Sequence, residues 1–109
     1  LIYICLFAMT SLGMTIPESG VCVVEFNASF NAANSVDWID ELSDCKGRRV
    51  DIAAEPDLQK EHKIVVVPTV VVFNDGEEVE RFQANIMMQL EATQDEVQEA
   101  VDEIIMSAF

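Results

Sequence analysis

The residues of this chain that could carry out thiol or metal chemistry are few and widely spaced. Its 109 residues include three cysteines, Cys5, Cys22 and Cys45, and one histidine, His62. No two cysteines form the Cys-x-x-Cys pair that dithiol exchange and zinc binding use. His62 has no second ligand at metal-binding spacing, so we expect a solvated or capping role for it and neither a metal nor another cofactor in the protein. Cys22 and Cys45 are expected to be small buried side chains, and a bridge between them is the alternative if the protein is exported.

A carboxylate inside an apolar run is the second chemical feature. Val21 to Phe26 reads VCVVEF, which is continuous except for Glu25. Such a run is typical of a strand buried on both faces. Burial raises the pKa of a carboxyl group, whereas a neighbouring cation lowers it.

The overall charge excludes two classes of partner. Six Lys and Arg residues stand against twenty Asp and Glu residues, for a formal net charge of −14. Because affinity for phosphate comes from basic residues that release counterions, neither nucleic acid nor an anionic membrane surface is an expected partner. Half of the residues are apolar, which predicts one acidic globular domain with a core.

Residues 1–17 differ in composition from the rest, since no charged residue precedes Glu18. This segment is either a signal or anchor remnant, because its apolar run ends in small residues, or a first strand, because Leu1 to Phe7 has strand length and composition. The first alternative implies export or membrane anchoring, and the second implies a cytoplasmic location. We expect the globular domain to span residues 18–109.

The spacing of apolar residues along the domain predicts alternating strands and helices. The dipeptide Asp75-Gly76 favours a tight hairpin turn, and Thr93 with Glu96 forms a capping-box pattern at the start of the last helix. In order, the predicted elements are strand Val21–Phe26, helix Asn31–Cys45, strand Arg49–Ala53, helix Pro56–His62, a valine-rich strand through Pro68 to Asn74, strand Glu77–Ala84 and a helix after Thr93. This order indicates an α/β fold with a central mixed β-sheet and helices on both faces.

Several motifs within residues 20–107 resemble the thioredoxin family. Val23 to Ser29 resembles its first core strand and the loop before the active site, and Glu55-Pro56 resembles the turn into its short helix. Val67-Pro68-Thr69 is similar to its cis-proline segment. The resemblance implies a thioredoxin-like fold.

The family's active-site motif has no cysteine in this chain. The residues Phe30, Asn31, Ala32, Ala33 and Asn34 fall on the family's Trp-Cys-Gly-Pro-Cys. Disulfide exchange needs one thiolate to attack and a second thiol to resolve the mixed disulfide, so the resemblance implies no catalytic residue here. Asn31 is expected to cap a helix with its side-chain oxygen; alternatively, the two amides beside an exposed Phe30 form a recognition site for a peptide.

The resemblance also implies a buried ion pair. Glu25 falls where the family places a buried carboxylate that shuttles protons, and Arg49 falls where the family has a basic residue facing it. Because Asn31 and Asn34 stand in place of the thiols, this chain has no thiol at those positions that would need the proton transfer. We therefore predict a structural ion pair between Glu25 and Arg49.

The resemblance further implies a peptide-binding site around the predicted cis-proline, where the backbone of Val67 would meet an extended peptide. The link from Ala84 to Thr93 is longer than in the family and adds the apolar residues Ile86, Met87, Met88 and Leu90. These residues either contact the partner or fill core volume left by a shortened first helix. The predicted contact residues are Phe30, Val67, Pro68, Thr69, Met87 and Met88.

The leading functional hypothesis is a redox-inactive thioredoxin-like domain that binds a protein or peptide at this site. One alternative is a thiol-disulfide oxidoreductase that uses Cys22 or Cys45 as a single thiol. The other is an acidic structural protein that binds divalent cations through its net charge.

Overall fold

A computed structural model describes residues 16–108 of the chain, so the predictions for the N-terminal segment lie almost entirely outside the described residues. The strands are β1 (Val21–Asn27), β2 (Lys46–Asp51), β3 (Thr69–Asn74) and β4 (Glu77–Gln83). The α-helices are α1 (Pro56–Glu61) and α2 (Gln94–Ser107), and two 3₁₀ helices cover Ser29–Asn34 and Ile39–Glu41. No helix within residues 16–108 is both long and apolar enough to cross a membrane.

The four strands form one mixed sheet in the order β2-β1-β3-β4. β1 runs parallel to β2 and antiparallel to β3, and β3 runs antiparallel to β4. Leu58 of α1 packs on one face of the sheet, whereas Val97 and Val101 of α2 pack on the other. The predicted fold class, a mixed sheet with helices on both faces, is therefore confirmed.

β1 lies in the interior of the sheet, and all seven of its residues are buried. Successive side chains on a strand point to opposite faces. Cys22, Val24 and Phe26 accordingly join the core on the α1 face, and Val21 and Val23 join the core on the α2 face. Glu25 occupies the next position after Val23 on the α2 side and is only 1% exposed.

The predicted helix over Asn31–Cys45 is wrong. This stretch contains two short 3₁₀ segments and irregular backbone instead. Its apolar residues recur every third position, but only one of them, Ile39, lies within a 3₁₀ helix. The residues that set this period, Val36, Ile39, Leu42 and Cys45, all pack on the α2 face, so the spacing identified the buried side and not the helix type.

Two strand boundaries also differ from the prediction. β2 begins at Lys46 and ends at Asp51, whereas the alternation predicted Arg49–Ala53. Its limits follow those of its partner, since Cys22 pairs with Lys46 and Asn27 pairs with Asp51. β3 begins at Thr69 and does not include the valines before Pro68, because proline has no N–H to donate to the ladder.

The local turn and cap signals are borne out. Asp75 and Gly76 have φ angles of 52° and 84°, the positive values that a two-residue hairpin turn of type I′ requires. At the start of α2 the Glu96 N–H donates to Thr93 Oγ1 at 3.2 Å, and the Thr93 N–H donates to Glu96 Oε1 at 3.0 Å. Both bonds of the capping box are present.

Candidate functional site

Asn31 lies at the centre of the candidate site, just beyond the end of β1. Three segments meet there: the first 3₁₀ helix, residues 64–68, called the valine loop below, and residues 85–89, called the methionine loop. Asn31 is 4% exposed, and its φ of −113° and ψ of 20° break the 3₁₀ helix into two parts. Its side chain is directed into the protein, where it meets the other two segments.

The side chain of Asn31 joins these segments by hydrogen bonds. Its Nδ2 donates to Asn27 Oδ1 at 3.2 Å, to the Val67 carbonyl at 3.3 Å and to the Met88 carbonyl at 3.1 Å. The prediction that Asn31 is an N-cap is wrong, since Ala28 holds that position and makes no side-chain capping bond. With its backbone inside a kinked 3₁₀ helix, Asn31 faces carbonyl oxygens and acts as a donor.

Further amides extend this network. Asn34 Nδ2 donates to Asn31 Oδ1 at 2.8 Å, and Asn27 Nδ2 donates to Ser35 Oγ at 2.8 Å. Each of these four side chains is a neutral amide or hydroxyl. The positions that resemble a dithiol therefore hold no nucleophilic or titrating group, and the arrangement can fix loops in place. Ala32 and Ala33 are exposed between the two asparagines.

An apolar groove of about 390 Å³ lies beside Asn31, between the valine and methionine loops. Among its lining residues, Phe30 is 76% exposed, Val65 is 79% exposed and Ile86 is fully exposed. Met88 also lines the groove, and Met87 is exposed on the same loop. These side chains face solvent, so they do not fill core volume.

Of the four apolar residues in the longer link, only Leu90 packs against the core on the α2 face. The alternative that the link fills vacated core volume therefore applies to that residue alone. Ile86 was one of the link residues considered as a partner contact but was left out of the predicted contact residues, and Val65 was not considered at all. Val65 had one available signal, since it falls within an apolar run just before Pro68.

The predicted cis-proline segment forms the base of the valine loop. The Val67–Pro68 peptide bond is cis, and Val67, Pro68 and Thr69 are all buried. The Thr69 hydroxyl donates to the Val66 carbonyl at 2.7 Å, so the side chain of Thr69 faces inward and contributes no exposed contact surface. Within residues 16–108, the backbone N–H groups of Val65, Val66 and Val67 have no hydrogen-bond partner.

Glu25 and Arg49 lie together behind the first 3₁₀ helix. Arg49 Nη1 is 3.1 Å from Glu25 Oε1. The pair also holds the backbone of Val36, whose N–H donates to Glu25 Oε2 at 2.8 Å and whose carbonyl accepts from Arg49 Nη1 at 3.0 Å. Burial raises the pKa of the Glu25 carboxyl, and the Val36 N–H and the Arg49 guanidinium partly offset that rise. No signal in the sequence indicated the role of Val36.

Both described cysteines lie at the other end of the sheet from Asn31. Cys22 is at the start of β1, and Cys45 immediately precedes its partner strand β2. They are free thiols, so the bridge considered above is not formed. Burial raises the pKa of Cys22, and burial together with nearby Cys22, Asp44 and Asp102 raises the pKa of Cys45 to about 11.

The remaining polar residues do not converge on a metal-binding geometry. Within residues 16–108, no group of three or more His, Cys, Asp or Glu side chains is placed to hold a metal ion. His62 packs between Phe26 and Phe73, with ring centroids 5.6 and 5.2 Å away. The imidazole of His62 therefore packs against aromatic side chains, and the sequence has no other histidine that could join it in binding a metal.

Comparison with known proteins identifies the fold. No protein-family model and no curated protein matches the chain. Among solved structures, a mutant thioredoxin from Halobacterium salinarum matches with a TM-score of 0.62 and 22% identity, over 78% of this chain and 74% of that chain. The thioredoxin of Schistosoma mansoni matches with a TM-score of 0.63 and 18% identity, over 91% and 86% of the two chains.

The thioredoxin of Fasciola hepatica is a third structural neighbour. It has a TM-score of 0.57 and 19% identity and covers 93% of this chain and 92% of its own. The three likenesses extend over most of both chains in each pair. The chain accordingly has a thioredoxin-like fold.

Proposed function

We propose that this protein is a redox-inactive thioredoxin-fold module that binds an extended segment of a partner protein in the apolar groove. One observation carries the proposal. Seven large apolar side chains are exposed within residues 16–108, and four of them, Phe30, Val65, Ile86 and Met88, line this one groove. Exposed apolar side chains that cluster in a concave surface are typical of a binding site.

Backbone N–H groups of the valine loop that lack hydrogen-bond partners among the described residues support binding of a partner segment in an extended conformation. An extended peptide binds beside such a segment through main-chain hydrogen bonds. The Val67 carbonyl already accepts from Asn31, whereas the N–H groups of Val65, Val66 and Val67 are unpaired among the described residues. Because Val67 is buried, the proposed contacts run to carbonyl oxygens of the partner from the N–H groups of Val65 and Val66, the more exposed of the three residues.

The charge of the protein supports a partner segment with basic residues on either side of an apolar stretch. The residues that line the groove carry no formal charge, so they suit apolar side chains. The chain as a whole carries a formal net charge of −14, and Glu91 lies at the rim, where it accepts from Asn85 Nδ2 at 2.9 Å. Complementary charge of this kind speeds association and selects among partners.

Redox inactivity is proposed because the candidate site has no thiol and because both described cysteines stay protonated near neutral pH. Asn31 and Asn34 occupy the positions that resemble the dithiol, and amides do not form a mixed disulfide. The raised pKa values of Cys22 and Cys45 keep both groups as thiols near neutral pH, whereas the thiolate is the nucleophile. We expect an insulin-reduction assay with dithiothreitol to show the same turnover with and without the protein; protein-dependent turnover would contradict redox inactivity.

Selection from a displayed library of short linear peptides tests the binding site. We expect enrichment of peptides with alternating apolar residues and flanking Lys or Arg. The double variant Phe30→Ser, Ile86→Ser should bind the selected peptides at least about tenfold more weakly, because it removes two exposed apolar walls.

The matched control is Val79→Ser, Met106→Ser, which removes two exposed apolar side chains that do not line the groove. Its affinity should equal that of the wild type. Equal affinity of both double variants for the selected peptides would place the binding surface elsewhere and refute the proposal.

A further inference from the structure

We infer that Asn31 is a positioning residue that holds the two walls of the apolar groove against each other. The effect of Asn31 on peptide affinity rests on the proposed function. The structural part of the inference, the placement of the methionine loop, does not depend on whether the groove binds a peptide. It assigns to Asn31 the task of setting the groove's shape, at the position where the resemblance would place a reactive sulfur.

The methionine loop is built around Asn85. Asn85 Oδ1 accepts from the N–H groups of Met87 and Gln89 at 2.9 and 3.2 Å, and the Met88 N–H donates to the Asn85 carbonyl at 2.9 Å. Met88 itself has a φ of 58°, which a non-glycine residue adopts only where surrounding contacts hold it. These bonds order the loop internally and do not by themselves place it against the valine loop.

Asn31 provides the connection at the tip of the loop. The Ala84 N–H donates to the Pro68 carbonyl at 3.1 Å, which holds the residue just before the methionine loop. Within the described residues, no hydrogen bond joins the methionine loop directly to the valine loop. Instead, one atom, Asn31 Nδ2, donates to the carbonyls of both Val67 and Met88.

The surroundings of this nitrogen require a donor. Three oxygen acceptors converge on it, from Asn27, Val67 and Met88. The other end of the amide accepts from Asn34 Nδ2 at 2.8 Å, which fixes the nitrogen toward the three oxygens. Because the site is buried, water cannot fully replace a lost donor, and unpaired carbonyls would be left behind. An anionic side chain at this position would be repelled by the same oxygens.

The test compares two substitutions that each place a carboxylate in the first 3₁₀ helix, Asn31→Asp and Ala33→Asp, by amide hydrogen exchange measured with NMR. Ala33 lies in the same 3₁₀ helix and is exposed, so Ala33→Asp adds the same charge without removing any hydrogen bond of Asn31 and is the matched control. At neutral pH we expect Asn31→Asp to speed exchange of the Met87, Met88 and Gln89 amides by about tenfold or more relative to wild type. The control should change these rates little, and both variants should keep the wild-type exchange in β1.

Acidification separates positioning from a general loss of stability. A protonated carboxyl group again offers an O–H donor. Exchange of the methionine-loop amides in Asn31→Asp, relative to wild type at the same pH, should therefore return toward the wild-type rate as the pH falls. The contacts of this side chain are with Asn27, Asn34, Val67 and Met88, and none of these partners is charged. Ala33→Asp should show no such recovery in the loop.

Equal loop exchange in the two variants, or no recovery of Asn31→Asp in acid, would overturn the inference. If Asn31→Asp does not fold, Asn31→Ala is compared by the same measurement with Ser35→Ala, which removes a side chain that bonds Asn27 and not Asn31, and equal loop exchange again overturns the inference. If Asn31→Asp speeds exchange in the methionine loop but the wild type binds no selected peptide, the proposed function is refuted and the positioning role of Asn31 stands. Where the wild type does bind, Asn31→Asp should weaken the affinity and acid should restore it.

Discussion

An asparagine side chain can both donate and accept hydrogen bonds, and its neighbours decide which of the two matters at a given position. Near a helix start, an asparagine is expected to accept from backbone amides through its side-chain oxygen. Here the donor end of Asn31 matters, because three acceptor oxygens surround it. The environment of Glu25, in contrast, was predictable from nearby residues. The apolar residues on either side of it indicated a buried strand, and Glu25 is 1% exposed.

The Glu25 carboxyl provides a prediction at this scale. Burial raises its pKa above the ordinary 4.5, so the folded state binds its proton more tightly than the unfolded state does. Its contribution to the free energy of unfolding is therefore greatest in acid and falls as the pH rises from about 4.5 through the raised pKa. An NMR titration of the Glu25 carboxyl carbon should give a midpoint above 4.5; a midpoint at or below that value would contradict the prediction.

Arg49→Met should raise that midpoint further, because Arg49 lowers the pKa of Glu25. At neutral pH the variant should also lose on the order of 1–3 kcal/mol of stability, since the buried carboxylate loses a charged donor. The loss should shrink in acid, where Glu25 is protonated. Lys46→Met, on the same strand, is the control and should leave the Glu25 midpoint close to that of the wild type.

Among the elements, the segment between the first 3₁₀ helix and β2 departs most from the prediction. An α-helix over this stretch would satisfy its own backbone. The Glu25–Arg49 pair instead bonds the N–H and the carbonyl of Val36, and the second 3₁₀ helix packs against β2. Gly47 makes this packing possible, because a Cβ there would lie 2.5 Å from the Ile39 carbonyl oxygen.

Gly47→Ala is therefore expected to destabilise the protein by about 1–3 kcal/mol, the usual cost of overpacking. The added methyl must displace the backbone of the second 3₁₀ helix, which no side-chain rotation can avoid. Urea unfolding measures the effect. Lys46→Ala, an exposed change on the same strand, should shift the free energy of unfolding by less than about 0.5 kcal/mol. Equal stability of Gly47→Ala and the wild type would show that this segment does not pack on β2 as described.

For the molecule as a whole, the formal net charge of −14 bears on association more than on the fold. The groove lining is uncharged, so attraction of a basic partner acts at long range and is screened by salt. Association with a selected basic peptide, followed by stopped-flow fluorescence, should slow by about tenfold or more between roughly 0.01 M and 0.15 M salt. A control peptide with Gln in place of its Lys and Arg should associate at a rate that salt barely changes, and equal salt dependence of the two peptides would contradict a role for the net charge.

The features that the sequence determined by itself are those with short-range causes. The apolar run of β1 identified a strand buried on both faces, Asp75-Gly76 identified the turn, and Thr93 with Glu96 identified the start of α2. Together with the order of the elements, these signals predicted the mixed sheet, whereas its thioredoxin-like form was implied by the resemblance of several motifs to that family. Each depends on the backbone preferences and hydrogen bonds of residues within a few positions of one another.

Tertiary structure alone decided the geometry of the site. The partners of the Asn31 amide lie 36 and 57 residues along the chain, at Val67 and Met88. Whether Ile86 packs inside or faces solvent likewise depends on where its loop meets the valine loop. No local pattern records these distances, because they arise only when the sheet brings the ends of three separate segments to one place.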